Sequence, residues 1–232
     1  MSLDSAARLT EALLALALIQ QSLEHLAGPR RDRPLFWGRI TLCGLVIIGA
    51  GAAWPVVGLI GLLGLAIVSL PILDRFQGPY NGGSDRMGLL ALWCLVLSRV
   101  MPGQALQELV FAYLGLQLML SYFISGWVKV VNPDWRNGRA LADVFRFSAY
   151  PVSEDLRRWA GRPQLLQVMA WGVMLFELTF PLTLLSRESL IVGLVVAATF
   201  HLANAWLFGL NRFFWTWLAV YPAILWLQDR LF

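Results

Sequence analysis

Eight apolar stretches, separated by polar connections, follow one another along the 232-residue chain. A bilayer core of about 30 Å is crossed by about 20 helical residues. The pattern therefore predicts an all-α integral membrane protein, a bundle of about eight apolar helices. The stretches are residues 6–26, 36–53, 55–73, 87–101, 105–131, 165–185, 190–208 and 213–227.

Prolines and glycines interrupt this pattern at defined places. Pro55 disfavours helix at the residue before it, which predicts a break between the second and third stretches. Pro181 predicts a kink with freed carbonyls in the sixth stretch. The sequence Tyr-Asn-Gly-Gly-Ser-Asp at 80–85 is interpreted as a tight glycine turn that shapes a loop. With no internal repeat or linker, residues 1–232 are expected to form a single transmembrane domain.

The longest polar connection spans residues 132–163 and is predicted to contain short interfacial helices. The Asn-Pro-Asp sequence at 132–134 favours a turn, and Gly138 allows a sharp bend. One helix is expected over residues 139–149, and a second is expected to start near Pro151 with Ser153 as its cap. These helices either form a structural lid or cover a buried site.

Composition supports the membrane assignment and argues against nucleic acid as a partner. Hydrophobic residues make up 58% of the chain and charged residues 14%, against about 25% charged in soluble domains. The net charge of +4 comes from arginines in the connections, which favours the lipid bilayer and not nucleic acid as the partner. Placing the connection 30–39 in the cytoplasm puts thirteen of the 17 arginines on that side, as the positive-inside rule requires.

The sequence predicts neither a disulfide framework nor a metal site. Cys43 and Cys94 both lie within apolar stretches, so no disulfide framework is predicted. His201 has no second histidine or cysteine at metal-ligand spacing, so no metal is expected. The first stretch is interpreted as a mature helix because it lacks the basic region and cleavage motif of a signal peptide.

Lys129 is the single lysine of the chain, at the end of the fifth stretch. A desolvated lysine can lose its proton and act as a base, which arginine cannot do. The alternative is a lysine that extends to the lipid headgroups. Gln117, Ser121, Ser125 and Lys129 recur every four residues as a polar stripe, and Gly126 permits close approach of another helix.

Three further polar residues lie within apolar stretches and require partners there. Glu177 is expected to pair with Lys129 or an arginine, as a contact between helices or as a functional carboxylate. His201 is either a hydrogen-bonded structural residue or a catalytic one, and Asn204 lies one turn beyond it.

Four segments together resemble a known family: Tyr-Phe-Ile-Ser-Gly-Trp-Val-Lys at 122–129, Asp-Trp-Arg-Asn-Gly at 134–138, Glu-Leu-Thr-Phe-Pro at 177–181 and Phe-His-Leu-Ala-Asn-Ala-Trp-Leu-Phe at 200–208. They are similar to the membrane domain of the vitamin K-dependent γ-carboxylases, whose bacterial relatives form the horizontally transferred transmembrane domain (HTTM) family. The resemblance covers about residues 105–217. A more distant similarity is to small DoxX-like and MauE-like membrane proteins, linked to quinone or maturation redox chemistry.

The resemblance implies a lysine general base that deprotonates the hydroquinone form of a quinone cofactor. It assigns catalytic roles to Lys129 and His201. It also implies quinone or quinol contacts for a further set of residues: Tyr122, Ser125, Trp135, Glu177 and Asn204. By analogy with its bacterial relatives, the protein is expected in a bacterial inner (plasma) membrane with its arginine-rich loops in the cytoplasm.

Several departures from the family pattern argue against glutamate carboxylation. Val128 stands where the enzymes often have a second lysine, and one extra residue precedes Trp135. The sequence ends at Phe232 without the large extramembrane region, and the predicted orientation puts Lys129 at the cytoplasmic end.

Two hypotheses follow: a quinol-binding redox or modification enzyme with Lys129 as base, or a non-catalytic subunit that assembles with other membrane protein subunits. A transporter has little support, because no inverted repeat is visible.

Overall fold

The computed structural model describes residues 1–52, 54–75, 82–148 and 154–232. Within these ranges every regular element is a helix, and short 3-10 turns join several of them. The α-helices are α1 (Leu3–Leu26), α2 (Arg33–Gly51), α3 (Pro55–Arg75), α4 (Gly82–Val100), α5 (Gln104–Val131), α6 (Pro133–Arg136), α7 (Arg139–Phe147), α8 (Glu154–Arg157), α9 (Pro163–Thr179), α10 (Arg187–Phe208) and α11 (Asn211–Leu231).

Five helical segments within the described ranges are long and apolar enough to cross a membrane. They are Arg30–Gly51, Pro55–Arg75, Gln104–Val131, Pro163–Leu185 and Arg187–Phe208. The all-α membrane class predicted from the sequence is therefore confirmed. Helices α1, α4 and α11 are as long but more polar, so a bundle of eight crossings stays a prediction.

The helix boundaries follow the apolar pattern except at the start of α4. As expected, α3 begins at Pro55. In contrast, α4 begins at Gly82, so the interpretation of residues 82–85 as a tight turn is wrong. Asp85 lies in the first helical turn, where a negative charge is favoured, and a Cβ on Gly83 would lie only 3.1 Å from the Phe213 ring. Tyr80 and Asn81 lie outside the described residues.

The chain divides into two compact units. Residues 1–116 and 212–232 form the first, and residues 117–211 form the second, so that α5 contributes its first half to one and its second half to the other.

In the first unit, small residues bring α2 and α3 close together. Gly49 and Gly58 face each other so closely that a Cβ on Gly49 would overlap the Gly58 backbone. A Cβ on Gly61 would lie 2.9 Å from the Val46 nitrogen. Such small-residue contacts are the usual means of packing helices in a bilayer, where apolar burial alone drives no association.

A charged cluster ties α1 to α4 in the same unit. Arg99 donates from Nε to Glu11 (2.7 Å) and from Nη1 to Asp4 (2.8 Å), and Arg8 forms a second ion pair with Asp4 (2.8 Å). Glu11 is buried, and a buried carboxylate requires such a partner.

In the second unit, α7 and the turn after α8 pack on α9. Leu141 and Phe145 of α7 are buried together with Ala160, Leu166 and Ala170. The helix predicted over residues 139–149 is thus confirmed to Phe147, and its interfacial position stays a prediction; the predicted cap Ser153 lies outside the described residues. Before α7, Gly138 adopts a φ of +78°, and a Cβ there would also lie 2.8 Å from Gln167.

The kink predicted at Pro181 appears as a change of helix type. Helix α9 ends at Thr179 and continues as a 3-10 helix over Phe180–Leu185. Hydroxyl groups accompany the change: Thr183 donates to the carbonyl of Phe180 (2.7 Å), and Ser189 donates to that of Thr183 (2.8 Å).

Candidate functional site

Lys129, in the last turn of α5, forms an ion pair with Glu177 of α9. Its Nζ lies 2.6 Å from both carboxylate oxygens of Glu177. The lysine side chain is 19% exposed and the glutamate side chain 4%. Glu177 therefore pairs with Lys129 and not with an arginine, and Lys129 is held inside the unit instead of extending freely to the headgroups.

Gly126 makes this ion pair possible. A Cβ at Gly126 would lie 2.8 Å from the Leu178 nitrogen and 2.9 Å from the Glu177 Cβ. These atoms belong to the α9 backbone and its immediate branch, and they cannot move aside as the end of a flexible side chain can. The close approach predicted for Gly126 is confirmed, one turn before Lys129.

The turn after α5 places an aromatic ring beside the lysine. Lys129 Nζ lies 5.4 Å from the centroid of the Trp135 ring, within the range of a cation–π contact. The Asn132 side chain accepts from the Asp134 amide and caps α6. The Arg136 carbonyl accepts from the Trp171 indole of α9 (3.0 Å). The turn that carries Trp135 is thereby fixed to the helix that carries Glu177.

A second polar pair lies two turns before the ion pair. The hydroxyl of Tyr122 lies 2.9 Å from Nε2 of His201 on α10, and the two residues are 3% and 4% exposed. Tyr122 and Lys129 are seven residues apart on α5, so both face the same side with a rise of about 10 Å between them. His201 thus has a hydrogen-bonded, buried environment.

Aromatic rings surround the Tyr122–His201 pair. Phe180 lies 4.1 Å from Tyr122 between ring centroids, and Phe176 lies 5.9 Å from it. Phe200 contacts both Phe176 (5.9 Å) and His201 (5.2 Å). Sequence reasoning did not assign these phenylalanines to the site. The available signal was that each stands beside or one turn from Glu177 or His201 along the chain.

Two predicted residues take no part in these contacts. Ser125, one turn before Lys129 on α5, is exposed. Asn204 is half-buried, and its backbone carbonyl accepts from the Leu210 amide at the end of α10 (3.3 Å). The structure thus brings together Lys129, Glu177 and Trp135 at one level, and Tyr122 and His201 at another.

The arrangement places an amine and a carboxylate in direct contact near a group of aromatic rings. At 2.6 Å, each carboxylate oxygen of Glu177 accepts a hydrogen bond from the Lys129 Nζ. The Tyr122 hydroxyl and the His201 ring supply further donors and acceptors with little exposure to water.

A family model, the HTTM domain, matches residues 98–228. This chain belongs to the HTTM domain family. The match covers more than half of the sequence, and it contains every residue of both polar pairs and the intervening aromatic rings. HTTM domains are the membrane domain family of vitamin K-dependent carboxylases, so the resemblance drawn from residues 105–217 is confirmed at the level of the family. No solved structure matches the chain.

With the family established, the HTTM chain is an integral membrane protein with a bilayer as its environment. The distant similarity to DoxX-like and MauE-like proteins, the individual roles of the site residues and the quinone cofactor stay predictions.

Proposed function

We propose that this HTTM protein binds a quinol and uses the neutral amine of Lys129 to remove a proton from a quinol hydroxyl. The single observation that carries the proposal is the buried Lys129–Glu177 pair, because it supplies a lysine with a partner that can take up and return its proton.

The proton balance of this step is simple. In the resting pair, moving the shared proton to the Glu177 carboxylate leaves Lys129 as a neutral amine. The quinol hydroxyl gives its proton to Nζ, which leaves a quinolate anion and an ammonium group. The quinolate can then reduce dioxygen to the hydroperoxide anion, which takes the proton from the Glu177 carboxyl. One quinol and one dioxygen thus yield one quinone and one hydrogen peroxide, and the ion pair is restored. Positioned proton transfer of this kind accelerates reactions by about 10²- to 10⁴-fold.

The aromatic rings beside the pair support a flat, apolar ligand. Small-molecule sites are mostly apolar, with a few placed polar groups, and stacked or edge-on rings attract another aromatic ring. Phe176, Phe180 and Tyr122 provide such surfaces next to Glu177. We assign the hydrogen bond with the second quinol oxygen to the Tyr122–His201 pair. Asn204, on the same helix as His201, is a further candidate contact.

The test uses the full chain in nanodiscs with 2-methyl-1,4-naphthohydroquinone as substrate and an oxygen electrode as detector. Lys129→Arg preserves the positive charge but cannot give a neutral base, so oxygen consumption should fall at least about 10²-fold. Arg139→Gln, which changes an exposed residue of α7, is the matched control and should leave the rate unchanged.

The alternative of a non-catalytic subunit or assembly factor predicts another outcome. In that case Lys129→Arg leaves any oxygen consumption at the level of the wild type, and the variant still copurifies with its membrane partner. That result, with correctly folded protein, would eliminate the general-base proposal. Extraction of a bound quinone from wild-type protein, and its loss from Lys129→Ala, would count against the purely structural role.

A further inference from the structure

A buried arginine in the first unit has more hydrogen-bond donors than the surrounding residues use. Arg39 lies in the second turn of α2 and is 4% exposed. It donates from Nη1 to the Gln21 side chain of α1 (2.9 Å). Among the described residues none accepts a hydrogen bond from its Nε. A guanidinium has five N–H donors and stays protonated, so this is a costly group to bury with one neutral partner.

Arg39 lines a small cavity in the first unit. Ser69 of α3 lines the same cavity, is 6% exposed, and has no hydrogen-bond partner for its hydroxyl among the described residues. The cavity has a volume of about 20 Å³, which is room for roughly one or two water-sized groups. Its other walls include Leu18, Ile72 and Thr216. Two buried polar side chains, each with an atom that has no hydrogen-bond partner among the described residues, therefore line a space that holds a group of only a few atoms.

Among the described residues, no acidic side chain forms an ion pair with Arg39. Gln21 lies between it and Asp85: the Gln21 amide donates to the Asp85 carboxylate while its oxygen accepts from Arg39. Asp85 lies in the first turn of α4, is half-buried and also lines the cavity. The acid that offsets the charge of Arg39 is therefore separated from it by the Gln21 side chain.

We propose that this cavity, lined by Arg39 and Ser69, binds a carboxylate group. The Nε–H and neighbouring Nη–H of a guanidinium form a fork that matches the two oxygens of a carboxylate. A hydroxyl at the position of Ser69 donates to one of those oxygens, and the small volume admits a carboxylate but not a ring. The site is independent of the Lys129 site, since its residues belong to the other compact unit.

The carboxylate can come from a small soluble acid or from the head of a fatty acid, since Leu18 and Ile72 offer apolar contacts beside the polar end. The cavity lies at the end of the first unit where α2 and α4 begin and α3 ends, next to the arginine-rich residues 30–39. An anion that approaches this end meets positive charge before it reaches Arg39.

The experiment measures thermal unfolding of the full chain in phosphatidylcholine nanodiscs while sodium formate replaces sodium chloride at constant ionic strength. A ligand that binds only the folded state raises the ratio of folded to unfolded protein about elevenfold at ten times its Kd. We expect saturable stabilisation of the wild type by formate beyond that in chloride, because formate offers the Nε–H and Nη–H donors one oxygen each whereas chloride offers both a single atom. Arg33→Gln, an exposed arginine on the same helix, is the matched control and should respond as the wild type does.

Three variants decide the assignment. Arg39→Gln should abolish the formate response. Ser69→Ala should weaken it at least about tenfold, the size of one hydrogen bond to a charged group, and it keeps the test valid if Arg39→Gln does not fold. Asp85→Asn should tighten binding roughly tenfold, because it removes a nearby like charge.

A parallel series with decanoate distinguishes the two sources. Stabilisation by both acids, lost in Arg39→Gln, indicates a site open to soluble carboxylates, and stabilisation by decanoate alone indicates a fatty acid head; either result supports a carboxylate site. If neither acid stabilises the wild type more than Arg39→Gln or Ser69→Ala, the proposal is overturned and the cavity holds water only. The oxygen-consumption assay at Lys129 is unaffected by this outcome.

Discussion

Gly126 and Leu178 approach so closely that a Cβ on the glycine would lie 2.8 Å from the backbone nitrogen of the leucine. This contact brings α5 and α9 together at the level of Glu177, and it sets the distance across which Lys129 reaches the carboxylate. The ion pair therefore depends on a residue that carries no charge and no side chain.

Gly126→Ala should separate α5 from α9 and disturb the ion pair, because the α9 backbone cannot yield. Overpacking of this kind costs about 1–3 kcal/mol, which a chemical-unfolding titration in nanodiscs measures. Gly172→Ala is the matched control: a Cβ at Gly172, in the middle of α9, meets nothing within 4 Å. That variant should be neutral or more stable than the wild type. Equal destabilisation of both variants would refute the contact.

Breaking the ion pair from one side should be more damaging than removing both partners. Lys129→Met or Glu177→Leu alone leaves a buried charge without a partner, at about 3–5 kcal/mol. The double variant should be more stable than either single variant. A double-mutant cycle of unfolding free energies gives the coupling. The exposed pair Arg139 and Asp143 is the control, with a coupling below about 1 kcal/mol; additive effects at Lys129 and Glu177 would contradict the pairing.

Tyr122→Phe should remove the hydroxyl that contacts His201 while keeping the ring in its aromatic surroundings. The loss of one buried hydrogen bond should destabilise the protein by about 1 kcal/mol. The change should also appear in the nitrogen-15 shifts of the His201 ring. Tyr113→Phe, at an exposed position of α5, should change stability by less than about 0.5 kcal/mol. An unchanged His201 spectrum would argue against the contact.

His25 should make the protein less stable in mild acid. Burial, followed by the neighbouring Arg212 guanidinium, lowers the pKa of His25 to about 4 from its ordinary 6.5. Arg212 Nη2 lies 3.0 Å from His25 Nε2, and since arginine can only donate, Nε2 accepts and the ring is neutral. The folded state thus favours the neutral form, so its stability is complete above pH 6.5 and falls as the pH drops toward 4.

The measurement for His25 is the thermal midpoint between pH 7.5 and pH 4. His25→Gln keeps an acceptor for Arg212 and does not titrate, so its midpoint should fall less over the same interval. A wild type and variant with parallel pH profiles would show that another group controls the acid response.

The long helices could be predicted from the sequence because each apolar stretch is bounded by charges or by proline. The break before Pro55 and the change of helix type near Pro181 follow from the missing amide and restricted φ of proline. The start of α4 was predicted five residues late, since two adjacent glycines usually indicate a turn. Here Asp85 stabilises the helix start, and the Phe213 ring occupies the space that a side chain at Gly83 would fill; the second of these effects involves a residue 130 positions away.

The candidate site could be predicted only in part. Lys129 and Glu177 were identifiable because each is costly in a bilayer without a partner, but which residues pair depends on how α5 and α9 pack. Ser125 stands four residues before Lys129, about 40° from it around the helix, yet its side chain is exposed and does not join the buried pairs. The contacts of the phenylalanines with Tyr122 and His201 join three helical segments, so the sequence of any one segment does not predict them.

Because Lys129 is the single lysine of the sequence, its amine can serve as a spectroscopic reporter. Reductive methylation with carbon-13 formaldehyde would label a single lysine, at Lys129, and the resulting dimethylammonium signal would be resolved from that of the N-terminal amine. Its chemical shift would follow the charge state of the Nζ atom held against Glu177. The protein can therefore report the proton position in its own candidate active site without an introduced label elsewhere in the chain.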